Sequence, residues 1–304
     1  MRISAPSYLR VSQAAFAALY AIIITGSLVR LTGSGLGCAD WPQCSESKFI
    51  DVSTGHAAIE QINRLFTGVV ALSVIACAMS SFALRPKRRD LVGMSVVLVL
   101  GVLAQVLIGA VVVLTGLNPY SNIAHFLVSI FLMSVAYMLV QHAKIFKASD
   151  EPVLRGEPLL ASNKTAQAVK VLLALTGLVI VVGTLVTGSG PHAGDEKAVR
   201  LGFAMTDIVR VHGIAVWLTV IAFFVVAMMS RKTQVARSLL GRPLARFGVV
   251  LVAQAVVGYA QYFLGVPVVL VAIHVAMSVL VWLAALDVYW HSRLSAMPSR
   301  VLDL

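Results

Sequence analysis

The stretch AQVLIGAVVVLTGLNPYSNIAHFLVS, residues 104–129, returns 149 positions later as AQAVVGYAQYFLGVPVVLVAIHVAMS, residues 253–278. Both copies place two glycines, a histidine and a serine at the same intervals after an Ala-Gln pair. A second motif, Thr32-Gly33-Ser34-Gly35, recurs as Thr187-Gly188-Ser189-Gly190. These repeats predict that the chain is a parallel duplication of one half-length unit.

Eight apolar runs are long enough to cross a bilayer, because about 20 helical residues span its roughly 30 Å hydrocarbon layer. They lie near residues 9–31, 59–84, 91–114, 121–143, 166–187, 206–230, 244–264 and 268–290. The first run is long enough to stay as a span, so no cleaved signal peptide is expected. The predicted fold class is an all-α polytopic membrane protein with eight transmembrane helices in two pseudo-symmetric four-helix bundles. The predicted halves are residues 1–146 and 166–304, with a polar cytoplasmic linker at 147–165.

Composition supports a membrane protein. Hydrophobic residues fill 59% of the 304 positions and charged residues only 12%, so lipid is the natural solvent. The net charge of +11 does not indicate a nucleic-acid partner, because the basic residues flank apolar runs and form no separate basic domain.

Basic residues concentrate on one side of the predicted membrane, as in the stretches 85–89 and 231–246. The loops at 32–58 and 188–205 carry few of them. The positive-inside rule therefore predicts a cell-membrane protein with both termini cytoplasmic and these two loops extracytoplasmic.

Three histidines, His125, His212 and His274, lie inside apolar spans, at similar depth towards the outer ends of even-numbered helices. An imidazole inside a membrane usually marks function, and histidines on facing helices suit a haem held between them. A hydrogen bond to a neighbouring helix is the structural alternative. His142 and His291 lie at inner helix ends and are expected to be solvated.

The repeat is broken where chemistry is expected, because the 149-residue offset pairs His212 with Asn63, and Glu60 with Val209. Two axial imidazoles fill an iron and favour electron transfer, whereas one leaves a position open for oxygen. The second half is therefore interpreted as an electron store and the first as a reaction chamber. Glu60 then relays protons or stabilises positive charge. An ion pair with Arg64, one turn further along, is the alternative interpretation of Glu60.

Two cysteines, Cys38 and Cys44, lie six positions apart in the first outer loop. The oxidising side of the membrane favours a disulfide between them, which is either structural or redox-active. Arg30, Arg64 and Arg210 lie near the outer interface, where they either pair with haem propionates or anchor the helices.

The segment GSLVRLTGSGLGCADWPQC, residues 26–44, resembles a highly specific motif of the haem A synthase family. The Ile-Glu-x-x-Asn-Arg stretch at 59–64 and the histidines of helices 4, 6 and 8 extend this resemblance over nearly the whole chain. It implies oxidation of the C8 methyl of haem O, through a hydroxymethyl stage, to the formyl group of haem A for cytochrome c oxidase.

The resemblance also implies site residues. It assigns a haem b cofactor to His212 and His274, and a substrate haem to His125, Asn63 and Arg64. It makes Glu60 the catalytic residue. The family's loop cysteines correspond to Cys38 and Cys44. The three histidines are the predicted iron ligands.

One departure from the family lies in helix 2, where the usual Glu-x-x-His is Glu60-Gln61-Ile62-Asn63. Asn63 is expected to hydrogen-bond rather than to bind iron. The activity survives this change, or the protein binds haem without completing the oxidation. The presence of Glu60, Arg64 and His125 favours the first interpretation.

A membrane cytochrome b-type electron carrier without haem O oxidation is the alternative function. It explains His212 and His274, but neither Glu60 nor the one-sided cysteine pair. A transporter is a third class, which the repeat permits and the histidine depths disfavour. The expected partners are haem O, a haem O synthase and the lipid bilayer. The electron donor, for which a quinol is one candidate, and a homo-oligomeric state stay open.

Overall fold

The computed structural model describes residues 3–38, 40–148 and 164–294, and these residues form eight α-helices and no strand longer than an isolated bridge. The helices are α1 (Ala5–Leu31), α2 (Gly55–Phe82), α3 (Arg89–Leu114), α4 (Pro119–Ala148), α5 (Lys164–Ser189), α6 (Met205–Ser230), α7 (Gln234–Phe263) and α8 (Val268–Ser292). All eight are long and apolar enough to cross a membrane, which confirms the predicted all-α polytopic fold with eight helices. The pseudo-symmetric arrangement of two bundles stays a prediction. Most of the predicted linker lies outside the described residues.

Helix α7 differs most from its predicted run, because it begins at Gln234 rather than near residue 244. The Thr233 side chain caps it by accepting a hydrogen bond from the Ala236 amide at 3.1 Å. The first turns bury Ala236, Leu239 and Leu240 on one face but also carry Arg237 and Arg242. They are therefore amphipathic rather than apolar throughout, and a search for continuous apolar runs missed them. Pro243 lies inside the helix and does not end it.

The chain divides into two compact units. The first comprises Met1–Lys147 with Thr187–Ala204, and the second comprises Ala148–Val186 with Met205–Leu304. The loop between α5 and α6, predicted to lie outside, therefore belongs to the first unit, although it lies in the second half of the sequence. The division into halves at 1–146 and 166–304 stays a prediction.

The turns that join α3 to α4 and α7 to α8 have matching backbones. Gly116 and Leu117 have φ of 63° and 62°, and Gly265 and Val266 have φ of 73° and 62°. Only glycine adopts this left-handed region without strain, so each turn holds one strained residue after its glycine. The 149-residue repeat is thus visible in the geometry of each unit.

Two histidines predicted to be solvated are held by carboxylates instead, so that expectation is wrong. His142 Nδ1 lies 2.9 Å from an oxygen of Asp90, and only 13% of the His142 side chain is exposed. His291 Nδ1 lies 2.8 Å from the backbone carbonyl oxygen of Asp287, one turn earlier on α8, and 3.3 Å from its carboxylate. Hydropathy placed both rings correctly at helix ends but could not reveal these neighbours.

Candidate functional site

His125 lies on α4 with α3 against one edge of its ring. A Cβ atom built on Gly109 would lie 3.6 Å from His125 Cε1. The Gln105 amide donates to the His125 carbonyl at 3.0 Å and also hydrogen-bonds Ser129. His125 Nδ1 is buried without a hydrogen-bond partner. Helix α3 therefore contacts this histidine at two points and leaves its Nδ1 atom without a hydrogen bond.

The second unit holds two histidines in the same manner. Cβ atoms built on Gly183 and Gly258 would lie 3.2 Å from His212 Cε1 and 3.1 Å from His274 Cε1, respectively. Gln254 Nε2 donates to the His274 carbonyl at 3.1 Å and lies 3.2 Å from His274 Nε2. Both Nδ1 atoms are buried without a hydrogen-bond partner, and the rings lie close enough that a charge on one would affect the other. One unit therefore brings two imidazoles into one neighbourhood.

Asn63, on α2, has a different setting. The Thr25 hydroxyl on α1 donates to Asn63 Oδ1 at 2.8 Å. At the position that the repeat aligns with His212, the first unit thus has an amide oxygen already occupied by a neighbouring helix. Among the described residues, no hydrogen bond joins Asn63 or Glu60 to His125.

Glu60 is buried near the start of α2, with 4% of its surface exposed. Its Oε2 accepts a hydrogen bond from the Cys38 amide at 2.8 Å. Its Oε1 accepts from Arg64 Nε at 3.0 Å and from Arg64 Nη2 at 2.6 Å. The ion pair considered as the alternative for Glu60 is therefore present, and both carboxylate oxygens have donors.

Arg64 connects that carboxylate to the first outer loop. Its Nη1 donates to the carbonyls of Asp40 at 3.0 Å and Gln43 at 3.2 Å, and its Nη2 donates to the Cys38 carbonyl at 3.2 Å. Three loop carbonyls and one carboxylate thus surround a single guanidinium. The position of Glu60 depends on the backbone of this loop.

The loop is closed by a disulfide between Cys38 and Cys44, which confirms the predicted bond. Both half-cystines are buried, with 0% and 2% exposed, and they pack against Ala57 on α2. Thiol exchange needs an attacking thiolate to reach a sulfur atom. Burial of both sulfurs therefore favours the structural interpretation of the bond over the redox-active one.

Two further arginines predicted near the outer interface are occupied differently. Arg30 Nε donates to the His192 carbonyl at 2.9 Å, and its Nη2 donates to the Thr187 carbonyl at 2.8 Å. Arg30 thus attaches the second outer loop to α1. Arg210 is exposed and lies 3.7 Å from Asp207 on the same helix.

The donor set suits a haem better than a bare metal ion. Within the described ranges, no group of three or more His, Cys, Asp or Glu side chains could hold a metal ion. A bare zinc ion needs about four protein ligands, whereas a porphyrin supplies its own equatorial nitrogens and asks for axial imidazoles. His212 and His274, with their buried unpartnered nitrogens, fit that requirement.

The sequence repeat marks Gln105, Gln254, Gly109 and Gly258, but it does not mark Gly183. For the two glutamine–glycine pairs, the signal available in the sequence was their spacing. Each glutamine lies four residues before its glycine, so both face the same neighbouring helix.

Comparisons with known proteins agree with these features. Residues 10–53 and 49–286 match the COX15-CtaA family model, described as cytochrome oxidase assembly protein. Heme A synthase of Bacillus pumilus (strain SAFR-032) is 30% identical over 167 residues, which cover 54% of this chain and 53% of that protein. Heme A synthase of Geobacillus kaustophilus (strain HTA426) is 36% identical over 125 residues, covering 40% and 38%. The chain thus spans about half the length of the curated relatives it matches, or less.

Proposed function

This chain belongs to the COX15-CtaA family of cytochrome oxidase assembly proteins, and from that premise we propose that it is a haem A synthase. Its substrate is haem O, whose C8 methyl group is oxidised through a hydroxymethyl stage to the formyl group of haem A. The product supplies cytochrome c oxidase.

One observation supports this proposal above the others, namely that the two units carry different polar groups. The second unit holds two imidazoles, His212 and His274, each beside a glycine of a neighbouring helix and each with a buried, unpartnered Nδ1. The first holds one imidazole, His125, together with the buried pair Glu60 and Arg64. An electron carrier needs only the former set, whereas an enzyme that oxidises a bound haem needs both.

We assign haem b to the second unit, where His212 and His274 would hold it. A haem b bound by two imidazoles would supply one-electron transfer. The protein's contribution is to hold both rings against adjacent helices, with Gln254 beside His274.

We assign haem O to the first unit, with His125 as its protein ligand. Asn63 is a poor ligand, and its oxygen already accepts a hydrogen bond from Thr25. His125 would therefore be the imidazole that this unit supplies to the substrate haem, and Asn63 would not add a second one.

Glu60 is the proposed catalytic residue of that pocket. Burial disfavours the ionised form of Glu60, and the hydrogen bonds from Arg64 and the Cys38 amide oppose that effect. A fixed negative charge stabilises positive charge that develops on the substrate during oxidation, and it can accept a proton. Arg64 positions this carboxylate.

The location and partners of the protein are part of the proposal. The distribution of Lys and Arg supports a cell-membrane protein with cytoplasmic termini and with loops 32–58 and 188–205 outside. A haem O synthase supplies the substrate, and a quinol is the candidate electron donor.

Pigment analysis tests the activity. When the protein is co-expressed with a haem O synthase, extracted pigments are expected to contain haem A or its hydroxymethyl precursor. Haem b with unreacted haem O alone would refute the enzyme assignment and favour the electron-carrier alternative.

Substitution of Glu60 tests the division of roles. Glu60→Gln is expected to abolish product while the haem b absorption persists, because Glu60 lies in the first unit and the haem b ligands lie in the second. Glu46→Gln, at an exposed acid in the loop that precedes α2, is the control and should retain product. His212→Ala and His274→Ala should each remove the low-spin haem b spectrum, and persistence of that spectrum would show that the ligands are misassigned.

A further inference from the structure

We propose that Gly183 and Gly258 are positioning residues, whose bare backbones fix the rings of His212 and His274 for iron binding. Gly109 is their looser counterpart at His125. This inference rests on the proposed haem-binding function and adds residues that the ligand assignment does not include.

Both glycines lie very close to the histidine rings. A Cβ atom on Gly258 would lie 3.1 Å from His274 Cε1 and 3.6 Å from its Nδ1, and one on Gly183 would lie 3.2 and 3.6 Å from the same atoms of His212. The contacts of 3.1 and 3.2 Å to the Cε1 atoms are tighter than nine in ten real Cβ contacts, so an alanine would push each ring by a few tenths of an ångström. At Gly109 the distance is 3.6 Å, an ordinary van der Waals contact.

The arrangement recurs on three helix pairs. Gly109 and Gly258 are related by the 149-residue repeat, whereas Gly183 lies on α5 outside that relation. In each case the residue four positions earlier also meets the same histidine. Gln105 and Gln254 do so through their amides, and Val179 approaches His212 through its backbone. Each of the three histidines therefore has a glycine of the preceding helix beside its ring.

The position that the repeat aligns with His212 in the first unit lacks this arrangement. It holds Asn63 instead of a histidine, and the neighbouring residue on α1 is Thr25, whose hydroxyl donates a hydrogen bond to Asn63. Where no imidazole needs a flat surface, the contact residue is not glycine.

Physical chemistry explains why glycine suits the positions beside these histidines. Glycine inside a helix is destabilising relative to alanine, so a helical glycine with a close neighbour has a packing reason. Metal sites require their ligands within about 0.5 Å of the productive geometry. A ring displaced by a Cβ atom uses much of that tolerance. The tighter contacts at His212 and His274 suit a resident cofactor, and the looser contact at His125 suits a haem that must leave.

The experiment compares alanine variants of the full-length protein purified from membranes with its native haem. Gly183→Ala and Gly258→Ala are expected to weaken haem b retention about tenfold, the effect typical of altered residues that orient metal ligands, or to shift its low-spin electron paramagnetic resonance signal. Gly109→Ala is expected to retain the haem b content and signal of the parent.

Three controls separate positioning from general packing. Gly213, beside His212, and Gly241, on α7, have open space where a Cβ atom would lie, so their alanine variants should match the parent. Gly248→Ala, also on α7, would crowd Phe223 of α6 at 2.9 Å. It is expected to perturb packing without changing the haem signal.

The outcomes distinguish the two proposals. If the parent binds haem b and Gly183→Ala and Gly258→Ala keep its content and signal, the positioning role is refuted and the enzyme proposal stands. If Gly248→Ala changes the haem signal as Gly258→Ala does, the effect is general packing and the positioning role is again refuted. If the parent itself holds no haem b, both proposals fail.

Discussion

At the scale of single residues, the Glu60–Arg64 pair is the most constrained feature of the candidate pocket. Their side chains are 6% and 18% exposed, respectively. Burying two charges is costly unless geometry and further hydrogen bonds compensate, and removing one partner strands the other. Here the compensation comes from the Cys38 amide and from three loop carbonyls.

A double-mutant cycle should measure this dependence. Arg64→Gln is expected to destabilise the protein by about 3 kcal/mol, because it leaves a buried carboxylate without its counter-charge. The double variant Glu60→Gln with Arg64→Gln should lose less than the sum of the single variants, since neither residue then leaves a stranded charge. Unfolding of the detergent-solubilised protein gives the free energies. Strict additivity would show that the pair is not coupled.

Individual residues also show what sequence can reveal about the site. The Glu60–Arg64 contact was predictable, because residues four apart share a helix face. The donors that Cys38 and its neighbours provide were not, since they depend on how a loop folds back over α2. Gly183 was invisible for the same reason. Its significance comes from His212 on another helix, and sequence spacing within α5 does not record that distance.

At the scale of elements, the junction before α3 combines charges from separate segments. Asp90 accepts from Arg88 Nε at 2.9 Å and Nη2 at 2.7 Å, and from His142 on α4. Arg88 also lies over the Phe146 ring at 5.3 Å, and its side chain is 8% exposed. One carboxylate thus joins the starting turn of α3 to the end of α4.

Asp90→Asn is therefore expected to destabilise the protein by about 2 kcal/mol, a value reduced from the buried-pair range because Asp90 is itself 33% exposed. The matched control is Asp207→Asn. Its partner Arg210 is 77% exposed and 3.7 Å away, so the expected cost is below about 0.5 kcal/mol. Thermal unfolding of both variants measures the difference, and equal costs would contradict the structural role of Asp90.

The disulfide loop, residues 38–44, is the element whose backbone holds Glu60 and Arg64 in place. Replacing Cys38 and Cys44 together by serine removes a short covalent loop worth about 2 kcal/mol. It also releases the carbonyls that hold Arg64. Product formation is expected to fall while haem b in the second unit persists. Cys77→Ala, at the buried free cysteine, should keep both. Unchanged product in the double serine variant would show that the loop does not position Glu60.

At the scale of the whole molecule, the periodic and compositional features were the predictable part. Eight apolar runs gave eight helices, because backbone groups in lipid must be satisfied within each span. Large apolar side chains such as Leu72 and Val249 are 69% and 71% exposed, as expected for surfaces that face lipid. The assignment of Thr187–Ala204 to the first unit could not be predicted, since it depends on Arg30 binding two carbonyls of that segment.

The orientation in the membrane is the prediction that concerns the whole chain. In a Cys77→Ala background, the remaining Cys38 and Cys44 are joined and cannot react with maleimide. A single cysteine at exposed Lys197 is expected to react with a membrane-impermeant maleimide on intact cells, because loop 188–205 is proposed to lie outside. A cysteine at exposed Lys232 should react only after lysis, because the basic stretch 231–246 favours the cytoplasm. The reverse pattern of labelling would invert the proposed topology.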